Sequence, residues 1–463
     1  MFDIAIIGAG PGGYVAALRA GQNGARVALI EKNELGGVCL NRGCIPTKAF
    51  IASAHAAFAV KKASEFGVRT TGKIEIDMQA VLARKNAIVE TLRGGIEKLL
   101  KSCNVKLLKG DARFVSENEV EAGGEKIKAK NFIIATGSSW VELPALKIDG
   151  KNIVTSDEVL DFSRLPKSIA IVGGGVVGCE FACMLNTFGV QVTIIEAMPS
   201  ILPMMEKGIT RFLARSMKSD GIKILTETRV ESAVVEEGRV FCRLSNGESM
   251  ETSKLMVAAG RRPVFFDLGL DAAGVVLSER GFIKTDAYLR TSCPHIFAIG
   301  DCRGGRMLAH EASAEGVAAV DNILNGSSVE IETDFIPSPV FTFPEIGSVG
   351  FTSDELKEKG IVFKTGRFPY AACGKALCDG ESEGQVMVHA DPQSGRIYGV
   401  HVFGKDATLI IAEAVLAIKN ALNVAAIERT IHSHPTLSEA LAEAAADVLG
   451  MAIHKQRAQG VKS

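Results

Sequence analysis

The chain has 463 residues, 47% of them hydrophobic and 23% charged, with a formal net charge of -1, which suits a globular protein of three or four domains. That balance excludes the basic field a nucleic-acid or anionic-membrane binder needs, and no apolar run reaches the roughly 18 residues of a membrane helix. The opening MFDIAIIGAG runs straight into a buried-strand pattern, with Asp3 and the glycines where a signal peptide would need its apolar core; a reducing, cytoplasmic setting is expected. The ten cysteines then read mostly as core thiols.

The first predicted unit is DIAIIGAGPGGYVAALRAGQNGARVALIEK: strand, glycine-rich turn, helix, strand. Gly8, Gly10 and Gly13 fit G-x-G-x-x-G. In that motif the first glycine makes the tight turn, the second admits a pyrophosphate and the third packs helix on strand. The helix N-terminus faces the phosphates with its partial positive charge. Glu31, eighteen residues past Gly13 and followed by Lys32, ends the second strand where it can accept ribose hydroxyls.

GGVCLNRGCIPTK follows, with Cys39 and Cys44 five positions apart. Disulfides need Cα atoms about 4.4–6.8 Å apart, whereas residues i and i+5 of a regular helix stand roughly 8–9 Å apart. A Cys39–Cys44 bond therefore needs irregular backbone, which Gly36, Gly37 and Gly43 permit, and Pro46 suits the first turn of a helix starting nearby. A strained bond is easily reduced, and a helix N-terminus favours thiolate. The bland alternative is two buried thiols in a loop. Directly after a dinucleotide fingerprint, the redox pair is the reading carried forward.

Helical patterns are expected near 45–63 and 78–103. The strand FIIATGSS, residues 132–139, then brings Thr136, Gly137 and Ser138 to a turn. The fingerprint recurs at SIAIVGGGVVGCEFACMLNTFGVQVTIIEA: Gly173, Gly175 and Gly178 keep the spacing, Val176 and Val177 open the helix, and Glu196 again lies eighteen past the last glycine. HIFAIGDCRGGRMLAH is a buried strand ending in Gly300-Asp301, a carboxylate placed for a ribityl hydroxyl. FAD is therefore expected at the first unit and a nicotinamide cofactor at the second. Glu196 repels a 2′-phosphate, and EAMPSILPMME has no arginine to bind one, so NAD is expected over NADP.

Pro337, Pro339 and Pro344 mark a boundary. Alternating strands are expected over 345–403 with DPQSGR as a turn, then helices at 405–422 and 436–449. Near the end, HSHPTLSEA carries His432 and His434, with Glu439 five past His434. A metal pair of the two histidines lacks an accompanying carboxylate or thiolate cluster, and no metal is expected. Glu439 can orient the His434 imidazole if Pro435 holds the turn. A second C-x4-C, Cys373 and Cys378, reads either as two incidental thiols or as an accessory disulfide.

On these residues the chain resembles the pyridine nucleotide–disulfide oxidoreductases that carry an active-site CxxxxC, and within them the dihydrolipoamide dehydrogenases, over nearly its whole length. GGVCLNRGCIPTK is similar to GGTCLNxGCIPSK, with Val38 for Thr and Thr47 for Ser; GRRP (260–263), MLAHEASAEG (307–316) and HSHPTLSEA (432–440) also match. Glutathione and trypanothione reductases, which tend to read VGCVPKK and HPTSSEE, resemble it less. Mercuric reductase has a C-terminal vicinal cysteine pair that HKQRAQGVKS lacks, and soluble transhydrogenases lack the CxxxxC.

The resemblance implies an α/β fold: two Rossmann-like dinucleotide-binding domains, for FAD and NAD, and a C-terminal α/β dimerisation domain. The expected divisions are 1–142 (FAD, first part), 143–263 (NAD), 264–333 (return to the FAD/central domain) and 334–463 (interface). It implies that Cys39 is the interchange thiol and Cys44 the flavin-side thiol. Lys48 would sit by the flavin and pair with Glu180. Ala112, Thr136, Gly137, Ser138, Asp301, Met307, Leu308, Ala309 and His310 would line FAD. Residues 173–180, Glu196, Val230 and Gly260 would line NAD. His434 and Glu439 would come from the partner subunit of a homodimer. The implied reaction is oxidation of protein-bound dihydrolipoamide by NAD⁺ through a Cys39–Cys44 disulfide. The implied partners are lipoyl domains of 2-oxoacid dehydrogenase complexes or of the glycine cleavage system. No lipoyl-domain-like stretch occurs in the chain. The rivals are a reductase of another disulfide using NAD(P)H and a non-catalytic flavoprotein assembly subunit; a scaffold needs neither CxxxxC nor HxHPTxxE.

Overall fold

A computed structural model describes residues 1–265, 267–326 and 328–456. The last seven positions of the expected interface segment, and Phe266 and Ser327 of the segment before it, lie outside the described residues. The fold is α/β and divides into two compact units. Met1–Ser53, Asp77–Arg164 and Ala259–Ile331 form the first; Ala54–Ile76, Leu165–Ala258 and Glu332–Ser463 form the second.

The first unit is built on parallel strands in the order Lys106–Lys109, Val27–Glu31, Phe2–Ile7, Glu125–Ile134, with Ile296–Ala298 also paired to the last of these. Ile4, Ala5, Ile6 and Ile7 are all buried because both faces of the sheet are covered and leave no polar side to alternate with: Ile4 and Ile6 pack with the helix residues Ala16, Ala20 and Ala319, and Ala5 and Ile7 with Phe114, Val120 and Leu268. The N-terminal half of Glu125–Ile134 carries an antiparallel meander of Glu119–Ala122 and Ala112–Ser116. The helix Pro11–Gln22 packs against Ala309–Asn325, and small residues set the approach: a Cβ on Gly316 would lie 2.5 Å from the Gly12 carbonyl oxygen. The expected helices at 45–63 and 78–103 are Cys44–Lys62 and Met78–Ser102; Asp77 caps the second by accepting from Ala80 N at 3.0 Å.

In the second unit, parallel strands run in the order Lys223–Leu225, Gln191–Ile195, Ser168–Val172, Lys254–Val257. A three-stranded antiparallel ribbon, Val230–Glu236, Arg239–Leu244 and Ser249–Thr252, interrupts the crossover. The chain then forms a five-stranded antiparallel sheet in the order Ser338–Val340, Ile346–Gly350, Ile397–Phe403, Gln385–Ala390, Lys364–Pro369. The predicted DPQSGR turn closes on Asp391, whose Oδ1 accepts from Gln393 N at 3.0 Å and Ser394 N at 2.7 Å. Helices Ala407–Lys419 and Glu439–Val448 pack on this sheet, inside the expected 405–422 and 436–449.

A buried polar network joins this sheet to the helix Lys207–Ser219, which Glu206 caps through Gly208 N. The Glu206 carboxylate also accepts from Ser353 N at 2.8 Å, Ser353 Oγ at 3.1 Å and His389 Nε2 at 3.3 Å. His389 Nδ1 meets Thr365 Oγ1 at 2.9 Å; His401 bonds Ser348 Oγ at 2.6 Å and the Phe351 carbonyl at 3.1 Å. Burial and then the neighbouring His389 ring hold His401 down to about 3, so it is neutral, donating from Nε2 and accepting from Ser348. Burial alone would raise Glu206, but the bonds from His389 and Ser353 outweigh it and hold the carboxyl well below its ordinary value.

Two predictions follow from this packing. Gly316→Ala drives a methyl toward backbone and should cost about 1–3 kcal/mol, whereas Gly95→Ala, inside Met78–Ser102 with nothing within 4 Å of its Cβ position, should stabilise by about 0.5–1 kcal/mol; denaturant titration of both reads the contrast. Glu206→Gln should destabilise the fold at pH 7 by about 2–3 kcal/mol. Because the folded pKa lies below the unfolded value of about 4.3, the wild-type advantage is complete above about pH 5 and fades as pH falls toward the folded pKa. The melting temperatures of the two proteins should therefore begin to approach each other only below about pH 4 and go on converging as pH falls toward the folded pKa.

Candidate functional site

The first glycine turn leaves the strand Phe2–Ile7 with Gly8 at φ +101°, where a Cβ would overlap the Ala135 carbonyl. Gly10 is the N-cap of Pro11–Gln22, with no side-chain cap, no acidic residue in the first turn and nothing within 4 Å of its Cβ position. A Cβ on Gly13 would overlap the Gly8 carbonyl. The helix start therefore presents unsatisfied N–H groups to open space, which suits a pyrophosphate. Glu31 holds the turn: Oε2 accepts from Ala9 N at 2.7 Å and Oε1 from Asn33 N at 2.8 Å. Lys32 pairs with Asp111 at 3.4 Å.

The second turn repeats this geometry. Gly173 has φ +111°, Gly175 caps Val176–Thr187 without a side-chain bond, and a Cβ on Gly178 would overlap the Gly173 carbonyl. Glu196 Oε2 accepts from Gly174 N at 2.6 Å and Oε1 from Met198 N at 2.7 Å. Val176 and Val177 stand exposed at the helix start, 38% and 40%. Glu180 is buried and accepts from Phe341 N at 3.0 Å. Val230 is buried at the start of its strand. Gly260 falls in the first unit, with its carbonyl bonded to Val141 N at 3.0 Å.

The cysteine segment is docked on the first turn. Gly36 N donates to the Ala9 carbonyl at 2.8 Å, and a Cβ on Gly37 would come within 2.7 Å of Gly10 Cα. Cys39 lies in the short helix Gly37–Arg42; Gly43 breaks it at φ −131°, ψ −109°, and Cys44 opens the helix Cys44–Lys62. This is the irregular backbone that an i, i+5 pair requires. Both cysteines are thiols. Hydrogen bonding to Cys44, then burial, raises the Cys39 pKa, and the Lys48 ammonium works against that rise.

The remaining expected flavin residues lie in the same unit. Thr136 and Gly137 follow Glu125–Ile134, with Gly137 at φ +71° accepting from Val264 N at 3.0 Å. Ser138 donates to Asp301 Oδ2. Met307 has φ +55°, Leu308 caps the helix Ala309–Asn325, and Ala309 and His310 open it. Ala112 starts the strand Ala112–Ser116.

In the second unit, His434 Nδ1 lies 2.9 Å from Glu439 Oε1, and Glu439 Oε2 accepts from Thr436 N at 2.8 Å. Burial pushes the Glu439 carboxyl up, but the Thr436 N–H and the imidazole outweigh it and leave it lowered. The His434 side chain is 80% exposed. His432 is separate: its Nε2 bonds Glu413 at 3.0 Å and its Nδ1 faces the Thr430 carbonyl at 2.9 Å. Cys373 is a buried thiol and Cys378 an exposed one.

Sequence reasoning missed several residues. Arg261 of the GRRP stretch donates to Ser138 Oγ and to the Ser138 carbonyl, both at 2.7 Å, and so fixes the Ser138–Asp301 pair. Arg93 donates to Asn41 Oδ1 at 2.8 Å, while Asn41 Nδ2 donates to the Leu35 and Gly37 carbonyls at 2.9 and 2.8 Å. That clamp fixes the loop between the glycine turn and the cysteines. Glu206, His389 and His401 are the grouping among the described residues with the donor set for a metal ion. Their ring nitrogens are all engaged by Glu206, Thr365, Ser348 and Phe351, a closed network as it stands. Of these residues, Asn41 and Arg261 had a prior signal, since they lie in the GGVCLNRGCIPTK and GRRP stretches.

Among the described residues, no helix is long and apolar enough to cross a membrane. Residues 2–316 match the family model for pyridine nucleotide-disulphide oxidoreductases, and 336–445 match that family's dimerisation domain. The chain is 40% identical to the dihydrolipoyl dehydrogenase of Chlamydia muridarum over 98% of both chains. It is also 40% identical to that of Bacillus subtilis, over 98% of this chain and 99% of the relative. The crystal structure of LpdA from Mycobacterium tuberculosis superimposes with a TM-score of 0.91 at 26% identity, covering 97% of this chain and all of that one. FAD and NAD are the family's cofactors, and the two glycine turns fit them. Paired fingerprints, a thiol pair docked on the first of them and a matching dimerisation domain place the chain in the pyridine nucleotide-disulphide oxidoreductase family.

Proposed function

We propose that the chain oxidises protein-bound dihydrolipoamide to lipoamide with NAD⁺ as hydride acceptor, through a Cys39–Cys44 disulfide. The observation that carries this reading is the docking of the cysteine segment on the first dinucleotide turn, through Gly36–Ala9 and Gly37–Gly10. The names of the relatives at 40% identity support the substrate class.

In this reading His434 takes the proton of one substrate thiol, and Glu439 holds the imidazole and stabilises its charged form. The substrate thiolate attacks Cys39 Sγ; the Cys39–Cys44 bond breaks and Cys44 leaves as thiolate. The second substrate thiol attacks the substrate sulfur of the mixed disulfide, closing lipoamide and releasing reduced Cys39. Two electrons then rest on the cysteine pair. Bound FAD would supply the two-electron chemistry that links this dithiol to hydride transfer onto NAD⁺. Lys48 and Glu180 are assigned as a charge pair beside the flavin. Ala112, Thr136, Gly137, Ser138, Asp301 and 307–310 are assigned to FAD, and 173–180, Glu196, Val230 and Gly260 to NAD.

The same proposal divides the chain at 1–142, 143–263, 264–333 and 334–463. It makes the chain a cytoplasmic homodimer in which each site takes His434 and Glu439 from the partner. The lipoyl domains it serves belong to a 2-oxoacid dehydrogenase complex or the glycine cleavage system.

Steady-state NADH formation from dihydrolipoamide and NAD⁺ tests the assignment; a flavin-loaded protein that forms none would overturn it. Cys44→Ser should cut that rate by about 10³-fold or more and abolish the long-wavelength thiolate-to-flavin absorption seen on two-electron reduction, with flavin still bound. For the nicotinamide, wild-type kcat/KM should favour NAD⁺ over NADP⁺, and Glu196→Gln should narrow the ratio by about tenfold, or about 1.4 kcal/mol. Equal use of both cofactors by the wild type would sink the role given to Glu196.

A further inference from the structure

We propose that Cys373, which lies outside the CxxxxC and the glycine motifs, is a positioning residue that holds the His434–Glu439 dyad. The inference rests on the reading of His434 as the proton acceptor. Cys373 is 5% exposed and packs in the same apolar cluster as Leu437, Ala440 and Leu441. Its thiol donates to the Thr436 carbonyl at 3.6 Å. Thr436 N donates to Glu439 Oε2 at 2.8 Å, and Glu439 Oε1 meets His434 Nδ1 at 2.9 Å. Two hydrogen bonds on one side and one on the other thus meet at the Thr436 backbone and tie a core thiol to an exposed imidazole.

This link matters because of where each end sits. With its side chain 80% exposed, His434 gains little orientation from packing, so its direction is inherited from Glu439. Glu439 in turn depends on the peptide of Thr436, whose hydroxyl also bonds the Ser433 carbonyl at 2.7 Å. Cys373 fixes the other face of Thr436. It is itself anchored, its N–H on the Tyr370 carbonyl at 2.8 Å and its carbonyl accepting from Leu377 N at 3.2 Å. Tyr370 is fully buried and donates to the Lys405 carbonyl at 3.0 Å. Cys378 takes no part: the short helix Gly374–Cys378 separates the two sulfurs and leaves Cys378 exposed.

A thiol is a weak donor, so the expected effect is modest and selective. Cys373→Val keeps an apolar side chain of similar size and removes the donor. In the flavin-loaded dimer it should slow enzyme reduction by dihydrolipoamide about three- to tenfold. The rate at which NADH reduces ferricyanide, which bypasses the dithiol, should not change. Cys373→Ser, which restores a donor, should recover most of the loss. In a Glu439→Gln background, Cys373→Val should cost nothing further, because the relay is already cut. An equal loss in both reactions, a wild-type dithiol rate in Cys373→Val, or full multiplication of the two defects would each overturn the proposal. If the valine variant loses its flavin, Cys373→Ala is put through the same comparison. Full dihydrolipoamide turnover by His434→Gln would instead overturn the underlying assignment of the base.

Discussion

A carboxylate at the end of each second strand holds the glycine turn opposite it. Glu31 takes the N–H groups of Ala9 and Asn33, and Glu196 those of Gly174 and Met198. Backbone N–H groups in a tight turn would otherwise compete for any nearby acceptor, and the helix start would be free to find its own cap. With the turn clamped, Gly10 and Gly175 begin their helices uncapped and facing open space. One carboxylate thus holds a glycine turn and a residue just past its own strand end in each unit.

The cysteine pair depends on that clamped turn. Its segment is bonded to Ala9 and packed on Gly10, so movement of the turn is movement of the thiols. Asn41 and Arg93 close the other side of the segment. The break at Gly43 then lets the two sulfurs meet across what would otherwise be more than a helical turn. In the proposed reaction, the dithiol and the flavin would both be referred to this one backbone turn.

At the other end of the chain, the proposed base stands on the surface, and its order comes from polar contacts. Thr436 joins the acidic orienter to the core. Glu206 does similar work deeper in the second unit, where a capped helix, Ser353 and His389 share one carboxylate. Both are buried or half-buried carboxylates satisfied by backbone N–H groups, the arrangement that keeps such a group ionised at neutral pH.

The glycine spacings, the acidic strand ends and the CxxxxC were legible in the sequence because each is local: fewer than forty residues carry the turn, its helix and its second strand. The helices at 44–62 and 78–102 were legible to within a residue for the same reason. The His434–Glu439 pair was visible as a spacing, since five residues and a proline suffice to bring the two together. Arg261 with Ser138, Glu206 with His389 and Cys373 with Thr436 were not. Each joins residues 63 to 183 positions apart, through side chains whose composition gives no hint of a partner. Residue type and spacing can specify a turn, because the constraint on φ and on close approach acts within a few bonds. Which distant carbonyl receives a thiol proton, or which strand supplies a histidine to a helix cap, is decided only when sheets and helices pack and buried polar groups must find partners.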